Sequence, residues 1–477
     1  MAQDTRTRGS AIIPIPRSVY LSWAVAVTLG CGRDHLAVSE QAELAALSAS
    51  AQAGERGDDQ STQTPSRANA DAVMQTARAM IDEGRNTFRY DTFGDEAFWG
   101  GALRIHEALK GEAFGGVGSG VSPETALKVG LKVDSAALPR SLVRQLRAGQ
   151  VDLTAPATTL ALLKLDAVVG VKGVFDGSGQ NLTTVGIQCA LCHSTVDDSF
   201  APGIGNRLDG WPNRDLDVGA IIALSPDLSP VAKLLDVPEP RLRDVLASWG
   251  PGRFDAAVFL DGKAFRPDGK TAATLLPPAF GLAGVNLHTY TGWGGVSHWN
   301  AFVANLAMHG QGTFYDPRLD DASRFPIAAR ERFGHIRSDP DLITPKLAAL
   351  QFYQLALVAP TPPASSYDAA AAQRGKAIFA GKAKCADCHV PPLYTEPGWN
   401  MHRPEEIGIG EFQAQRSPDE HYRTTPLNGL FTRAKGGFYH DGRFATLADV
   451  VAHYDRTFGL SLNGSEPADL VEFLRSL

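Results

Sequence analysis

Two short stretches of this 477-residue chain share one pattern, Cys189-Ala190-Leu191-Cys192-His193 and Cys385-Ala386-Asp387-Cys388-His389. Cys-x-x-Cys-His is typical of the attachment of a c-type haem. The spacing suits this chemistry because two thiols add to the two vinyl groups of one porphyrin while the adjacent imidazole reaches the iron. The sequence therefore predicts two covalently attached haem c groups, with His193 and His389 as iron ligands.

A single copy of this pattern has other interpretations, namely a zinc knuckle, a redox-active dithiol or an ordinary disulfide. None of these requires a histidine at the same following position in both copies. The second copy also has a suitable approach, because Arg374 to Phe379 reads as a short helix with apolar residues on one side. The paired patterns favour haem.

The fifth cysteine, Cys31, lies at the N-terminus behind an apolar stretch from Val19 to Gly30 that follows three arginines. This stretch is too short to span a bilayer but suits a secretion signal. Thr28-Leu29-Gly30-Cys31 resembles a bacterial lipoprotein cleavage box, so residues 1–31 are predicted to be an export signal with Cys31 lipidated. An ordinary export signal with a bystander cysteine is the alternative. Either way we expect a periplasmic protein, tethered to the membrane if Cys31 carries lipid.

The composition is that of a soluble globular protein, with 44% hydrophobic and 20% charged residues. No later stretch is long enough to span a membrane. Removal of residues 1–30 takes away three Arg and one Asp, which moves the formal net charge from −7 to −9. This acidic balance argues against nucleic-acid partners.

The residue types divide the chain into five parts. Residues 32–70 are mostly small and polar and predict a flexible tether. Apolar residues recur at helical spacing over 72–83, where the folded body is expected to begin. The proline-rich run 359–366 predicts a linker between a first haem domain, 71–358, and a second cytochrome c domain, 367–477. We expect a mainly α fold of two cytochrome c-like haem domains, the first enlarged by insertions.

A faint internal repeat supports two related domains. Pro278 to Leu282 precedes a Gly-rich aromatic stretch ending in Trp293-Gly294-Gly295, and Pro426 to Leu430 precedes Phe438 to Arg443. Both are followed by an amphipathic helical pattern. Each copy lies downstream of its own haem attachment pattern, as two related haem domains require.

The C-terminal residues carry a family resemblance. Thr425-Pro426-Leu427, the run from Gly437 to Leu447, and Val450 to Tyr454 are similar to the pattern of the bacterial di-haem cytochrome c peroxidase superfamily, which includes MauG and, more distantly, the di-haem rubber oxygenases. The resemblance is good over 370–477 and looser over 185–310. It departs from the family where Tyr439 directly precedes His440.

The resemblance implies a sixth ligand for the second haem. Family members place this ligand on the helix after the His-Asp-Gly segment, and the corresponding residue here is Tyr454. A phenolate ligand stabilises ferric iron and gives a haem of low potential. His453, one residue earlier, and Met401 are the alternatives.

The first haem lacks an obvious sixth ligand, because no histidine occurs between His193 and His288. We therefore expect a five-coordinate iron, or one capped from the long insertion, and assign catalysis to this site. Met308 or His309, at the repeat position matching Tyr454, would close the site if either one bound the iron.

Several other residues have roles implied by peroxide chemistry or by the resemblance. A polar group must move a proton beside the iron, and the candidates are His288, His298, Arg253 and Glu96. Trp293 falls where the family keeps a tryptophan between the haems for electron passage. His440 and Arg443 are expected to contact haem propionates or the domain interface, and the resemblance also allows a calcium ion between the domains.

Together these features predict an exported di-haem c-type oxidoreductase that reduces hydrogen peroxide at the first haem. Electrons would arrive through the second haem from a small cytochrome or cupredoxin. One alternative is oxidation of an organic or protein substrate, as by MauG or the rubber oxygenases. The other is an electron carrier without enzymatic activity.

Overall fold

The computed structural model describes residues 65–477. The predicted export signal, Cys31 and most of the predicted tether lie outside the described residues. The first helix begins at Pro65, inside the range 32–70 expected to be a tether, and continues to Tyr90. The helix predicted over 72–83 is therefore confirmed and is longer at both ends.

Helices dominate the regular structure, with 44% of residues helical and 10% in strands. The helices are α1 (Pro65–Tyr90), α2 (Ile105–Lys110), α3 (Pro123–Lys128), α4 (Arg140–Arg147), α5 (Pro156–Lys164), α6 (Ala190–His193), α7 (Val218–Ile222), α8 (Ser229–Leu235), α9 (Glu239–Trp249), α10 (Val258–Asp261), α11 (Val296–Phe302), α12 (Pro326–Glu331), α13 (Leu347–Ala356), α14 (Ala369–Ala380), α15 (Leu447–Phe458) and α16 (Glu466–Arg475). Among these helices, none is long and apolar enough to cross a membrane.

The strands are short and pair only two at a time. They are β1 (Val133–Asp134), β2 (Val171–Phe175), β3 (Leu182–Ile187), β4 (Ser194–Val196), β5 (Ile204–Gly205), β6 (Arg207–Asp209), β7 (Arg253–Phe254), β8 (Thr274–Leu275), β9 (Thr313–Tyr315) and β10 (His335–Arg337). The pairs β2–β3, β4–β6, β7–β8 and β9–β10 are antiparallel, and β1–β5 is parallel. The β2–β3 hairpin leads directly into the first attachment pattern.

A crossing of two helices supports the second attachment pattern. At Gly375 in α14, an added Cβ would lie 2.0 Å from the carbonyl oxygen of Asp469 in α16. Only glycine permits this approach, because any side chain would overlap the facing backbone. One turn later the rings of Phe379 and Phe473 pack edge to face, 5.0 Å apart.

The same crossing recurs in the first part of the chain. At Gly84 in α1, an added Cβ would lie 2.0 Å from the carbonyl oxygen of Ala349 in α13. One turn later Phe88 and Tyr353 pack edge to face, 5.6 Å apart. The glycine and the two aromatic rings thus occupy equivalent places in both crossings, which extends the faint sequence repeat to the helices that frame each site.

The enlargement of the first part lies mainly between its first helix and its attachment pattern. Cys385 follows Gly375 by 10 residues, whereas Cys189 follows Gly84 by 105. The extra chain forms α2 to α5 and the β2–β3 hairpin, which build much of the largest hydrophobic core around Leu163 and Leu182. The predicted insertion therefore forms a wall of the first site.

Residues 71–477 form one compact unit. The structure does not divide residues 71–358, here called the first segment, from residues 367–477, the second segment. The two-domain division remains a prediction. Between the segments, α13 ends at Ala356 and the proline-rich run has only a short turn at Ala364–Ser366 before α14.

Candidate functional site

The first attachment pattern forms the one-turn helix α6, held between β3 and β4. The Nδ1 atom of His193 lies 3.1 Å from the carbonyl oxygen of Pro277. Because a carbonyl oxygen can only accept, Nδ1 carries the proton and donates it, which leaves Nε2 free to bind a metal. Burial lowers the pKa of His193 to about 4, so the ring is neutral at physiological pH.

The second attachment pattern repeats this arrangement with a different acceptor. The Nδ1 atom of His389 donates to the carbonyl oxygen of Tyr394 at 3.0 Å. The Tyr394 ring is fixed against Phe379 and Phe473, at centroid distances of 6.0 and 6.1 Å. Burial lowers the pKa of His389 to about 4. Both predicted iron ligands are therefore neutral and oriented by a backbone carbonyl.

A cavity of about 320 Å³ opens beside Cys189, Cys192 and His193. Its wall is mostly apolar and comes from the insertion, from α7 to α10 and from α11. Among the predicted residues, His288, Trp293, Met308 and His309 line it. The cavity continues to residues of the second segment, including Arg423 and Arg433.

His309 lies on the cavity wall just beyond a π turn formed by Val303–Ala307. Its backbone is left-handed, with φ 62°, and its ring stacks on Phe98 of the insertion at a centroid distance of 3.6 Å. Burial lowers its pKa to about 4, so this imidazole is also neutral. His193 and His309 are thus two neutral imidazoles on one cavity.

Met308 is anchored by the insertion. The indole Nε1 of Trp99 donates to its carbonyl oxygen at 2.9 Å, and its side chain, 3% exposed, belongs to a core cluster with Phe88 and Phe93. Met308 therefore belongs both to this core cluster and to the cavity wall. Met308 and His309 both stay open as alternative ligands for the first haem.

The structure separates the predicted proton-moving residues. His288 lines the cavity and is buried. His298 is not on the cavity wall, because its ring packs against Trp299 and Phe314 at 5.9 and 5.4 Å and its Nε2 lies 3.8 Å from the Asp316 carboxylate. A catalytic role for His298 stays a prediction, and its ring neighbour Trp299 lines the cavity.

Glu96 and Arg253 are also placed away from the cavity wall. The Glu96 carboxylate accepts a hydrogen bond from Thr92 at 2.6 Å. The Arg253 guanidinium points to the backbone of the second segment, 3.5 Å from the carbonyl oxygen of Asp441. Neither residue lines the cavity, and their role in proton transfer stays a prediction.

A buried carboxylate that the sequence did not single out lies on the cavity wall. Asp255 pairs with Arg416 of the second segment at 3.0 Å, and Arg416 also pairs with Asp261 at 2.8 Å. Burial raises the pKa of Asp255 to about 6. The three residues are scattered in sequence, so no local pattern marks them.

Trp293 lies on the cavity wall and is 5% exposed. Its ring packs with Trp299 and Phe302 at 5.2 and 5.6 Å, and the Arg318 guanidinium lies 5.7 Å from the ring centroid. Its position is compatible with the inter-haem role that the resemblance implies, and also with a packed core aromatic.

At the second site the three candidate ligands differ in what they contact. The Nε2 atom of His453 already bonds the carbonyl oxygen of Ile407 at 3.0 Å. The sulfur of Met401 packs against Gly292, where an added Cβ would lie 2.9 Å away. Tyr454, in the middle of α15, is close enough to the thiols of Cys385 and Cys388 for their charges to affect it, and burial raises its pKa. The assignment of Tyr454 as the sixth ligand of the second haem stays a prediction.

His402 approaches the second attachment pattern from the other side. Its Nε2 lies 2.7 Å from the Glu396 carboxylate, and a hydrogen bond with the Cys388 thiol is the main cause that raises its pKa to about 9. Cys388, Glu396 and His402 therefore converge within 4.8 Å. Since Cys388 is an attachment residue, this trio belongs to the haem site.

His440 and Arg443 lie where the two segments meet. His440 is buried, stacks on Tyr422 at 5.2 Å, and its carbonyl oxygen accepts a hydrogen bond from the Leu275 amide at 2.7 Å. Arg443 pairs with Asp441 at 2.9 Å. The interface role expected for His440 agrees with this geometry.

The residues fit haem in one further respect that sequence reasoning missed. Arg423 and Arg433 are buried cations on the cavity wall, and burial lowers their pKa to about 9 and about 10. A buried cation needs an anionic partner, and the carboxylates of a haem are suitable anions. The arginines and the two carbonyl acceptors give no local sequence signal, because only the fold brings them to the site.

No protein-family model matches this chain. It is 26% identical over 230 residues to the cytochrome-c peroxidase IdrP1 of Denitromonas iodatirespirans, which covers 37% of this chain and 60% of that protein. It is 31% identical over 122 residues to the methylamine utilization protein MauG of Methylorubrum extorquens, which covers 22% of this chain and 34% of that protein. The matched segments thus span less than two thirds of either relative.

Among solved structures, a Kuenenia stuttgartiensis hydrazine synthase chain aligns with a TM-score of 0.25 and 19% identity, over 45% of this chain and 75% of that chain. The names of the two curated relatives support haem as the cofactor and a peroxidase-like oxidoreductase as the class of enzyme. They confirm the resemblance of this chain to the di-haem cytochrome c peroxidase and MauG superfamily.

Proposed function

We propose that this protein is a di-haem c-type oxidoreductase that reduces hydrogen peroxide at the first site. Two electrons and two protons convert one peroxide molecule into two water molecules. The observation that carries the proposal is the contrast at the cavity. The neutral imidazole of His309 faces the same space as His193, whereas Tyr454 lies by the thiols of the second site.

When bound, a haem c supplies the iron that accepts and donates electrons. His309 takes the peroxide proton at a ring nitrogen and returns it to the departing oxygen, which is general acid–base catalysis. The aromatic side chains Phe98 and Phe259 hold the imidazole from both sides, at 3.6 and 6.1 Å. The apolar wall keeps bulk water from competing for the proton.

The second site fits electron entry. Its histidine is oriented as in the first site, and a phenolate from Tyr454 would make a haem that transfers electrons without binding peroxide. Trp293, on the cavity wall, is the residue that we propose for electron passage between the haems. A small cytochrome or cupredoxin is the proposed donor.

The decisive experiment uses the holoprotein with both haems attached. Peroxide consumption is measured with a reduced small cytochrome as donor, together with the absorption and electron paramagnetic resonance spectra. We expect donor-dependent turnover and one high-spin haem. Two six-coordinate low-spin haems without turnover would exclude peroxide reduction and favour the electron carrier, with His309 as the closing ligand.

Oxidation of an organic or protein substrate is the second candidate. It is favoured by the similarity of this chain to the methylamine utilization protein MauG. Peroxide-dependent oxidation of an added apolar compound, without any electron donor, distinguishes it from simple peroxide removal.

We also propose that the protein is exported and tethered through lipid on Cys31. Metabolic labelling with a radioactive fatty acid tests this, with Cys31→Ala as the unlabelled control. Label that persists in the variant would contradict the tether.

A further inference from the structure

Three guanidinium groups lie at the junction between the two segments. Arg214 donates to the carbonyl oxygen of Lys435 at 3.4 Å. In the opposite direction, Arg423 donates to the carbonyl oxygen of Leu287. Arg433 donates to carbonyl oxygens within the second segment, the shorter bond being 2.7 Å. The guanidinium groups thus donate hydrogen bonds to the backbone carbonyl oxygens at this junction.

These three cations have no carboxylate partner among the residues that the structure describes. Burial lowers the pKa of each, and the cations next to Arg423 and Arg433 are other arginines. Desolvation of this kind disfavours a charge that nothing opposes.

The carboxylates closest to this junction are already paired. Asp441 is held by Arg443 and Arg266. Asp215 is held by Lys132 at 2.5 Å and by Lys435. The junction therefore carries an excess of positive charge that faces the cavity.

A calcium ion, which the family resemblance allows between the segments, does not fit this arrangement. Calcium needs six to eight oxygen ligands, usually including carboxylates. Here the carbonyl oxygens already accept hydrogen bonds from guanidiniums, and a divalent cation would meet three positive charges at close range.

We propose that Arg214, Arg423 and Arg433 supply the positive charge at the junction and that calcium is not bound there. In this proposal the three guanidinium groups bind the carboxylates of haem. The inference rests on the proposed haem sites but not on peroxide turnover. Arg423 and Arg433 line the same cavity as His193, which places anion-binding groups on the wall of the space beside the first attachment pattern.

The first test needs no variant. The holoprotein is saturated with calcium chloride, desalted and analysed for bound calcium, and its absorption spectrum and melting temperature are recorded with and without a chelator. We expect substoichiometric calcium and no change on chelation. One calcium per chain, lost together with a spectral change or a lower melting temperature, overturns the proposal.

The second test measures the midpoint potentials of both haems in Arg433→Met and Arg433→Lys, with the exposed Arg144→Met as the matched control. Loss of the buried charge favours the ferric state, so Arg433→Met lowers at least one potential while Arg433→Lys restores most of it. Unchanged potentials in Arg433→Met overturn the proposal. Neither measurement requires turnover, so each can fail while peroxide reduction stands, or hold while it fails.

Discussion

The two Cys-x-x-Cys-His sites are alike around the histidine and unlike in the residue that we expect to face it. Each histidine donates Nδ1 to a backbone carbonyl, and each site is framed by a helix crossing that requires glycine. The first site has His309 in a left-handed turn against the insertion. The second has Tyr454 in the middle of a capped helix.

This contrast bears on the two roles that we propose. The repeated geometry orients His193 and His389 alike, so it cannot separate a site that transfers electrons from one that binds a substrate. We expect that separation to come from the groups that differ, His309 and Tyr454. The extra chain of the first segment therefore packs on the side of the site where His309 lies.

The largest effect is expected when one attachment site is removed at a time. The double variant Cys189→Ala/Cys192→Ala should lose one haem by mass and all peroxide turnover. Cys385→Ala/Cys388→Ala should also lose one haem, but its remaining haem should still respond to peroxide in the spectrum. Loss of both haems from either variant would mean that the sites do not form independently.

Substitution of His309 and of Tyr454 should separate the two proposed roles, peroxide reduction and electron transfer. His309→Leu removes the proton acceptor, and we expect kcat/KM for peroxide to fall by about 10²–10⁴-fold. Tyr454→Phe should instead raise the midpoint potential of the second haem, because a phenolate stabilises ferric iron.

The controls for this pair are His335→Leu and Tyr315→Phe, which alter side chains near the surface on the remote β9–β10 pair. If His309→Leu turns a low-spin haem into a high-spin haem and turnover rises, His309 is a closing ligand and the proposed acid–base role is wrong.

The two helix crossings should be equally sensitive to an added methyl group. Gly84→Ala and Gly375→Ala each place a Cβ 2.0 Å from a carbonyl oxygen, and we expect each to lower the free energy of unfolding by about 1–3 kcal/mol. Denaturant unfolding checks this, with Gly177→Ala as the control because its Cβ position is open. A large loss at only one crossing would show that the two frames are not equivalent.

The smallest effect concerns Asp95, a buried carboxyl beside the first site. Asp95 accepts a hydrogen bond from the Ile187 amide, and burial raises its pKa to about 9. A raised folded-state pKa stabilises the protein at low pH, and this contribution is lost as the pH rises from about 4 through about 9. Asp95→Asn should therefore exceed the wild type in stability at pH 8 by at least about 1 kcal/mol, with the difference vanishing near pH 4.

Thermal unfolding at several pH values measures this difference, and the exposed Asp244→Asn serves as the control. A variant less stable than the wild type at pH 8 would mean that Asp95 is ionised in the folded protein.

Local patterns predicted the parts of the sites that are contiguous in sequence. The attachment patterns, the helix that precedes Cys385 and the helix that carries Tyr454 each follow from a short run of residues. Alignment of the two repeats also identified His309 as a candidate ligand. Its position just past the end of a helix did not indicate that it faces a cavity.

The sequence could not predict which residues the fold brings together from distant positions. The carbonyls of Pro277 and Tyr394 are backbone groups and leave no residue signature. Arg214, Arg423 and Arg433 resemble any surface arginine until the fold buries them. The sequence also did not indicate that His298 packs between Trp299 and Phe314.

The hydrogen bond from Trp99 to the carbonyl oxygen of Met308 joins residues 209 positions apart. Contacts of such long range form late, because a long loop must close first. On a growing chain, the thiols of Cys189 and Cys192 emerge more than a hundred residues before the wall that covers them can be completed. We therefore expect the wall of the first site to be completed later, relative to the synthesis of its thiols, than the frame of the second, whose two helices lie within about one hundred residues of each other.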